Sequence, residues 1–175
     1  MLEFNPIMKS IVLIGFMGAG KSLIAKELQR RLPMMKFSTD KRIEAKEKML
    51  IPDIFKTHGE AYFRQAEALV VKELSEKEGV IIDCGGGVIL DPQNIKSLKQ
   101  NGIVFYLSAR LEVIYDRIKN SKNRPLIQGQ ETLKKIEELL KQRQPLYEQA
   151  ADVVVDANDK SIEGPVNKIL EVIKQ

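Results

Sequence analysis

The segment Gly15–Ser22, GFMGAGKS, constrains the fold of this chain more than any other part of it. It matches the pattern G-x-x-x-x-G-K-S/T, in which glycines let the backbone curl so that its N–H groups point at phosphate oxygens. Lys21 supplies a positive charge to those phosphates, and the Ser22 hydroxyl can ligate Mg²⁺. An apolar run precedes the loop at residues 10–14, and residues 21–32 have helix-forming composition. The segment therefore predicts a strand–loop–helix unit that binds a nucleoside triphosphate with Mg²⁺.

Apolar runs alternate with helix-like segments along the rest of the chain. Further strands are expected at residues 36–39, 80–82, 103–107 and 152–155, and helices at 40–48, 60–77, 111–118 and 131–147. Gly59 is expected to separate the helix at 60–77 from a shorter one that begins at Pro52, and Asp91-Pro92 resembles a helix start. This alternation predicts an α/β fold of one domain, residues 1–175, with a mostly parallel five-stranded sheet covered on both faces.

Composition narrows the class of ligand. The 175 residues carry 28 basic and 24 acidic side chains, a net charge of +4. That excess suits a small anionic ligand and is too weak and dispersed to indicate nucleic acid. The single cysteine, Cys84, excludes a disulfide framework and is expected to be a buried filler, while the lone His58 is not expected to bind metal. No apolar stretch reaches the roughly 18 residues of a membrane-spanning helix, and no secretory signal is recognisable, so a cytoplasmic protein is expected.

Three features are candidates for the pocket of a phosphate acceptor. Asp40 follows the second predicted strand, so it is expected near the phosphate loop, where it could orient or deprotonate a hydroxyl; it could also be a plain helix N-cap. Arg64 lies three residues before Glu67, close enough for an ion pair that could equally be a surface pair. The triple glycine at residues 85–87 opens the backbone to a ligand, or is only a flexible loop.

Arg143 occupies a position on an apolar helix stripe. Ile136, Leu140, Arg143 and Tyr147 follow the spacing i, i+4, i+7, i+11 of one helix face. A cation on an inward face needs an anionic partner. A ligand carboxylate, an internal acidic side chain and extension of the side chain to solvent are all open.

Taken together, these motifs resemble those of shikimate kinases over nearly the whole chain. Besides the phosphate loop they are Ser38-Thr39-Asp40, Phe63-Arg64 with Glu67, the triple glycine, Arg124-Pro125-Leu126, and Arg143-Gln144-Pro145-Leu146-Tyr147. Each short motif alone is weak, and their common order is strongly specific. The resemblance implies the P-loop fold of the nucleoside monophosphate kinases, a three-layer α/β/α arrangement with strand order 2-3-1-4-5. It also implies an acceptor-binding insertion at about residues 40–67 and a lid at about 119–130.

The resemblance implies a reaction as well, namely phosphoryl transfer from MgATP to the 3-hydroxyl of shikimate. Asp40 would hold that hydroxyl and act as its base, while Arg64 and Arg143 would bind the shikimate carboxylate. Arg124 would stabilise the transferred phosphate from the lid, and Arg117 would stack on adenine against a partner near residues 160–165. A monomer whose partners are only shikimate and ATP is expected. The nucleotide would be contacted by Gly15, Gly18, Ala19, Gly20, Lys21, Ser22 and Leu23, and shikimate also by Gly85, Gly86 and Gly87.

The chain departs from the family pattern at two positions. The first Asp of the family's Asp-x-Asp motif, which usually helps to hold Mg²⁺ through water, is Ser38 here. The residue two positions before the triple glycine, usually a small hydroxyl residue, is Asp83. We hypothesise that Asp83 takes over the metal-side carboxylate and that Ser38 fills the vacated place. The alternative is that Asp83 only caps the glycine turn.

Two other functions remain open at this point. One is a kinase of the same fold acting on gluconate or a nucleoside monophosphate. Arg64 and Arg143 favour an acceptor with a carboxylate, which gluconate also has. The other is a nucleotide-binding module without chemistry. Asp40, Arg124 and the triple glycine disfavour it, because a sensor needs neither an acceptor base nor a lid arginine.

Overall fold

Strands and helices alternate along the chain in the computed structural model, which describes residues 9–119 and 130–174. The strands are β1 Ser10–Ile14, β2 Met35–Ser38, β3 Val80–Asp83, β4 Gly102–Ser108 and β5 Val153–Asp156. The helices are α1 Lys21–Arg31, α2 Thr39–Glu47, α3 Ile51–Ser75, α4 Pro92–Asn101, α5 Leu111–Lys119, α6 Gln130–Ala150 and α7 Glu163–Ile173, with a 3-10 turn at Val88–Leu90. No helix in these ranges has the length and apolar composition needed to cross a bilayer.

The five strands form one parallel sheet in the order β2-β3-β1-β4-β5, which confirms the implied topology. β1 is buried along its whole length, as a central strand with both faces covered must be. Val12 and Ile14 belong to an apolar core covered by α2 to α6. Ile11 and Leu13 belong to a second core on the other face, covered by α1 and α7. The fold is therefore the expected three-layer α/β/α arrangement.

The carboxyl ends of the three neighbouring strands β2, β3 and β1 meet at one edge of the sheet. Asp83, the last residue of β3, lies opposite Ser38 of β2 and Leu13 of β1 in parallel register. The phosphate loop leaves β1 at this edge, α2 begins at the end of β2, and the triple glycine follows β3. Open parallel sheets bind ligands in the crevice outside such ends.

The start of α2 differs from the prediction. Asp40 is not the N-cap: Ser38 is, with extended backbone (φ −110°, ψ 126°) and a side chain that accepts a hydrogen bond from the Lys41 N–H at 3.3 Å. An N-cap oxygen reaches the N–H two or three positions into the helix, so the helix begins at Thr39. Asp40 lies in the first turn, where its negative charge suits the positive end of the helix.

Three other helices can be compared with the prediction. Gly59 interrupts α3 with φ 83° and ψ 174°, values favoured by glycine, so the predicted division of this segment is confirmed. Asp91 caps α4 by accepting from the Gln93 N–H at 2.9 Å, as the Asp-Pro signal indicated. α6 continues past Pro145 to Ala150, which is longer than predicted. The other element ends shift by one or two residues, as is usual at frayed ends.

Candidate active site

The phosphate loop has the conformation expected of an anion cradle. Gly20 precedes α1 with φ 95° and ψ 11°, a left-handed conformation in which a side chain would be strained. The Ala19 N–H donates to the Phe16 carbonyl at 3.1 Å and closes the curl. α1 then begins at Lys21 with no acidic residue in its first turn. No carboxylate there neutralises the positive end of the helix dipole, which lies at the loop.

The two side chains predicted to act from this loop both make hydrogen bonds inside the protein. The Lys21 ammonium donates to the carbonyls of Gly15 (2.7 Å) and Phe16 (3.1 Å), so it is held inside the loop. The Ser22 hydroxyl donates to Oδ2 of Asp83 at 2.7 Å. Asp83 is 6% exposed, so this carboxylate is almost fully buried beneath the loop. The loop is therefore joined to the end of β3 through the hydroxyl that was predicted to ligate metal.

A cleft of about 400 Å³ connects the phosphate loop to the ends of β2 and β3, a volume within the usual range for small-molecule sites. Asp40 enters it from the first turn of α2, and Gly85 and Gly86 form part of its wall. The structure thus brings the candidate base, the loop and the triple glycine together. The cleft is also lined by Met17, Gly18, Gly20, Lys21, Ser22, the exposed Leu23, Ser38, Asp83 and Cys84.

The triple glycine is required by close approach of side chains to the backbone. A Cβ on Gly85 would lie 2.4 Å from Oδ1 of Asp40, and a Cβ on Gly87 would lie 2.3 Å from Nη1 of Arg64. A Cβ on Gly86 would meet nothing nearer than 3.6 Å, which is ordinary contact. The turn is therefore not merely a flexible loop, because two of its glycines make room for one acidic and one basic side chain.

Two hydrogen bonds hold the glycine turn to the helices around it. The Gly85 N–H donates to Oγ1 of Thr39 at 2.8 Å, and the Tyr147 hydroxyl donates to the Gly86 carbonyl at 2.5 Å. Both side chains are fully buried. Burial raises the pKa of Tyr147 to about 12, so its hydroxyl remains a donor at neutral pH. Sequence reasoning missed Thr39, whose role follows only from the pairing of β2 with β3.

Arg64 forms ion pairs with two glutamates, of which one is buried and one is exposed. Its Nη1 contacts Oε2 of Glu67 at 2.7 Å, and its Nη2 contacts Oε1 of Glu60 at 3.2 Å. Arg64 is half-buried, whereas Glu67 is only 1% exposed. Burial raises the pKa of Glu67 above its ordinary value, and the hydrogen bond from Arg64 opposes that rise. The alternative of a plain surface pair is therefore wrong for Glu67.

The stripe that carries Arg143 faces inward, as predicted. Ile136, Leu140 and Tyr147 are buried, and Arg143 is half-buried among them. The positive charge of Arg143 lowers the pKa of the Glu67 carboxyl and that of the Tyr147 hydroxyl, against the larger effect of burial. An internal acid therefore lies near this arginine. Its Nε nevertheless remains buried with no hydrogen-bond partner among the described residues, as does Oε1 of Glu67.

A second cleft, of about 430 Å³, lies beside the phosphate loop. Arg117 ties its walls together: Nη1 donates to the carbonyls of Gly18 (3.2 Å) and Ala19 (3.3 Å), and Nη2 to those of Ala157 (2.9 Å) and Asp159 (2.8 Å). Residues 160–165, where an adenine-stacking partner was expected, also line the cleft, through Lys160, Ser161, Ile162 and Pro165.

The remaining sequence predictions have separate outcomes. Arg124 and residues 120–129 of the expected lid lie outside the described residues. His58 stacks on Tyr62 at 4.6 Å between ring centroids. Within the described ranges no group of three or more His, Cys, Asp or Glu side chains could hold a metal ion. Cys84 is a buried free thiol, and its burial raises the thiol pKa well above the ordinary value, as suits an unreactive filler.

Comparison with known proteins identifies close relatives. A family model described as shikimate kinase matches residues 17–174. A shikimate kinase of Dehalococcoides mccartyi is 43% identical over 169 residues, which cover 97% of this chain and 96% of that protein. A shikimate kinase of Caldanaerobacter subterraneus is 41% identical over 163 residues, covering 93% and 95%. The solved shikimate kinase from Acinetobacter baumannii in complex with shikimate superimposes with a TM-score of 0.87 at 36% identity, covering 95% of this chain and 93% of that one.

Proposed function

The chain belongs to the shikimate kinase family, and we propose that it transfers the γ-phosphate of ATP to the 3-hydroxyl of shikimate, giving shikimate 3-phosphate and ADP. The observation that carries this proposal is the cleft in which Asp40 and the triple glycine face the phosphate loop. It offers a donor site and an acceptor site in one space, as direct phosphoryl transfer requires. A relative solved with shikimate supports the choice of acceptor.

The donor side would act through the loop and its lysine. The loop N–H groups and the start of α1 bind the phosphates, and Lys21 neutralises charge on the β and γ groups. The adenine would lie in the cleft beside Arg117, whose guanidinium donates to four backbone carbonyls. Arg124, from the predicted lid, would add positive charge at the transferred group, the part that an arginine finger plays elsewhere.

The acceptor side would act by orientation and proton removal. Asp40 would accept the proton of the attacking hydroxyl, and its carboxylate lies against the backbone of Gly85. Arg64 and Arg143 would bind the acceptor carboxylate, and the buried Nε of Arg143 has no hydrogen-bond partner among the described residues. Asp40 and Arg64 both come from the predicted acceptor-binding insertion at 40–67. Backbone groups of the glycine turn, Gly85 to Gly87, would contact the acceptor between them.

The donors present fit Mg²⁺. The ion prefers hard oxygen ligands and is usually held by one or two protein groups together with substrate phosphates, not by an all-protein cage. Ser22 offers a hydroxyl whose proton is donated to Asp83, which leaves its lone pairs for the metal. When held there by Ser22, Mg²⁺ would supply positive charge against the negative charge that develops on the phosphates. We also propose that the protein is a cytoplasmic monomer with no nucleic-acid or membrane partner.

Release of ADP, measured by a coupled assay over a panel of acceptors, tests this function. We expect little release with ATP alone and a large stimulation by shikimate, because a site that keeps water from the γ-phosphate waits for its acceptor. Gluconate and nucleoside monophosphates are the comparison acceptors. Stimulation by one of them and not by shikimate would assign the chain to the rival kinase, and equal rates with and without any acceptor would contradict phosphoryl transfer to a small molecule.

A further inference from the structure

Ser38 and Asp83 are paired positions at the ends of neighbouring strands. They lie opposite each other in the β2–β3 register, and both line the cleft in front of the phosphate loop. A carboxylate at either position would stand near the bound phosphates and their metal. Only one of the two carries it in this chain, and the two side chains have different partners.

Asp83 is directed at the metal-binding side of the phosphate loop. Its Oδ2 accepts the proton of the Ser22 hydroxyl at 2.7 Å. A carboxylate that accepts from a ligand in this way orients the ligand and increases its basicity, which strengthens metal binding. Asp83 is also almost fully buried, and one hydroxyl does not neutralise a buried carboxylate. A divalent cation on the far side of Ser22 would supply that compensation.

The alternative role for Asp83, capping of the glycine turn, has less support. The N–H of Cys84 donates to the Leu13 carbonyl at 3.1 Å, and the N–H of Gly85 donates to Thr39 at 2.8 Å. The two N–H groups that follow Asp83 are therefore satisfied by other strands and helices. The partner that the structure shows for its carboxylate is the hydroxyl of Ser22.

Ser38 makes a different hydrogen bond, with the start of its own helix. Its Oγ accepts from the Lys41 N–H at 3.3 Å and forms the N-cap of α2. A serine in this role satisfies one of the free N–H groups at the helix start. Position 38 thus stabilises the helix that carries Asp40, and position 83 faces the phosphate loop.

We propose that Asp83, on β3, is the carboxylate that holds Mg²⁺ through Ser22 in this enzyme, and that position 38 serves only as a helix cap. The inference rests on the proposed function and locates the metal-side charge on the strand next to the one that carries it in the family pattern. Asp83 is a positioning residue in this scheme, since it acts on the metal through Ser22 and through bound water.

The test measures binding of ADP by calorimetry with and without Mg²⁺, in the absence of any acceptor. In the unmodified protein Mg²⁺ should tighten ADP binding. In Asp83→Asn and Asp83→Ser that gain should fall by about tenfold or more, while ADP affinity without Mg²⁺ stays the same or rises because a negative charge is gone. Asp53→Asn, which removes an exposed carboxylate from the start of α3, is the matched control and should behave like the unmodified protein.

A double variant tests the exchange itself. Ser38→Asp in the Asp83→Ser background returns the charge to the paired position, and aspartate caps helices as well as serine does, so α2 should be preserved. Recovery of a large part of the Mg²⁺ gain supports the exchange, and a folded double variant with no recovery overturns it. An unchanged Mg²⁺ gain in either single variant, or an equal loss of ADP affinity with and without Mg²⁺, overturns the role of Asp83.

The result is separable from the test of the proposed function. The binding measurement contains no shikimate and no turnover. Normal Mg²⁺ coupling in Asp83→Asn would remove this inference and leave shikimate phosphorylation standing. The opposite outcome is a protein that does not phosphorylate shikimate but loses Mg²⁺ coupling in Asp83→Asn. That outcome would remove the proposed function and leave the role of Asp83 standing.

Discussion

The two halves of the site are built in opposite ways. The proposed phosphate half is one contiguous segment, Gly15–Ser22, that would bind through backbone N–H groups and would need few side chains. The proposed acceptor half is made of charged side chains from three helices, Asp40 of α2, Arg64 of α3 and Arg143 of α6. A site made of backbone depends on one local conformation, whereas a site made of side chains depends on every neighbour that positions them. The two halves should therefore fail differently when they are mutated.

Removal of the loop cation should give the largest effect, and it should be confined to the phosphate half. Lys21→Met removes the ammonium that neutralises the transferred phosphate, so kcat should fall by about 10³-fold. The dissociation constant of shikimate, measured by calorimetry, should change little. Lys26→Met, which removes an exposed lysine from the same helix, is the control. A loss of shikimate binding comparable to the loss of kcat would mean that the two halves are not separate.

Alanine substitutions in the triple glycine should separate the contribution of Asp40 to the acceptor half from that of Arg64. Gly85→Ala places a Cβ against the Asp40 carboxylate, so we expect kcat to fall by about 10²-fold, as a displaced catalytic group does. Gly87→Ala places a Cβ against the Arg64 guanidinium, so the KM for shikimate should rise by about tenfold or more at a similar kcat. Gly86→Ala has ordinary space and should change the kinetics less than either, and Gly164→Ala, in α7 where a Cβ meets nothing within 4 Å, is the control. Identical kinetic changes in the Gly85 and Gly87 variants would contradict this division.

Glu67→Gln should loosen Arg64 and Arg143 together. We expect the KM for shikimate to rise by about tenfold, because the buried carboxylate that pairs with Arg64 and lies near the charge of Arg143 is removed. Stability should depend on pH in a defined direction. Burial raises the pKa of Glu67 above 4.5, so the folded state binds more protons than the unfolded chain, and stability falls as pH rises through the window between 4.5 and the raised value. Thermal melts over pH 4 to 8 should show a smaller fall in the variant, and parallel curves would contradict a buried, titrating Glu67.

Tyr147→Phe should give the smallest effect of the series. It removes the hydrogen bond to the Gly86 carbonyl but keeps the stacking on Tyr106, whose ring lies 5.1 Å away. We expect a loss of about 1 kcal/mol in the free energy of unfolding and a rise of a few-fold in the KM for shikimate. Tyr62→Phe, which removes an exposed hydroxyl bonded to Glu47, is the control and should cost less. A fall in kcat without a change in KM would place Tyr147 outside acceptor binding.

The same contrast explains how far the sequence could predict the molecule. The phosphate loop, the alternation of strands and helices, and the inward stripe of α6 are local patterns, and the structure confirms them. The position of Asp40 in the cleft was also predicted, because parallel strands end at one edge. The family resemblance supplied the strand order, which no local pattern contains.

What the sequence could not predict depends on contacts between distant elements. The N-cap of α2 went to Ser38 instead of Asp40, since the choice depends on where β2 stops pairing with β3. Thr39 was missed because its hydroxyl meets the Gly85 N–H, 46 residues away, only once both strands are in place. The burial of Glu67 likewise depends on the packing of α3 against the core. Each miss is a tertiary contact made by an ordinary residue.

The central place of β1 in the sheet affects how the chain is made. β1 is the first described strand to leave the ribosome, yet its partners are β3 and β4, so Ile11 waits for Ile81, roughly 70 residues later. At about 5–20 residues per second, this strand, which is buried along its whole length in the folded protein, waits roughly 4 to 14 s for that partner. Pairing across such a separation is slow, and an exposed apolar strand is prone to aggregate. Nascent chains of this protein should therefore depend on chaperones until β4 has emerged.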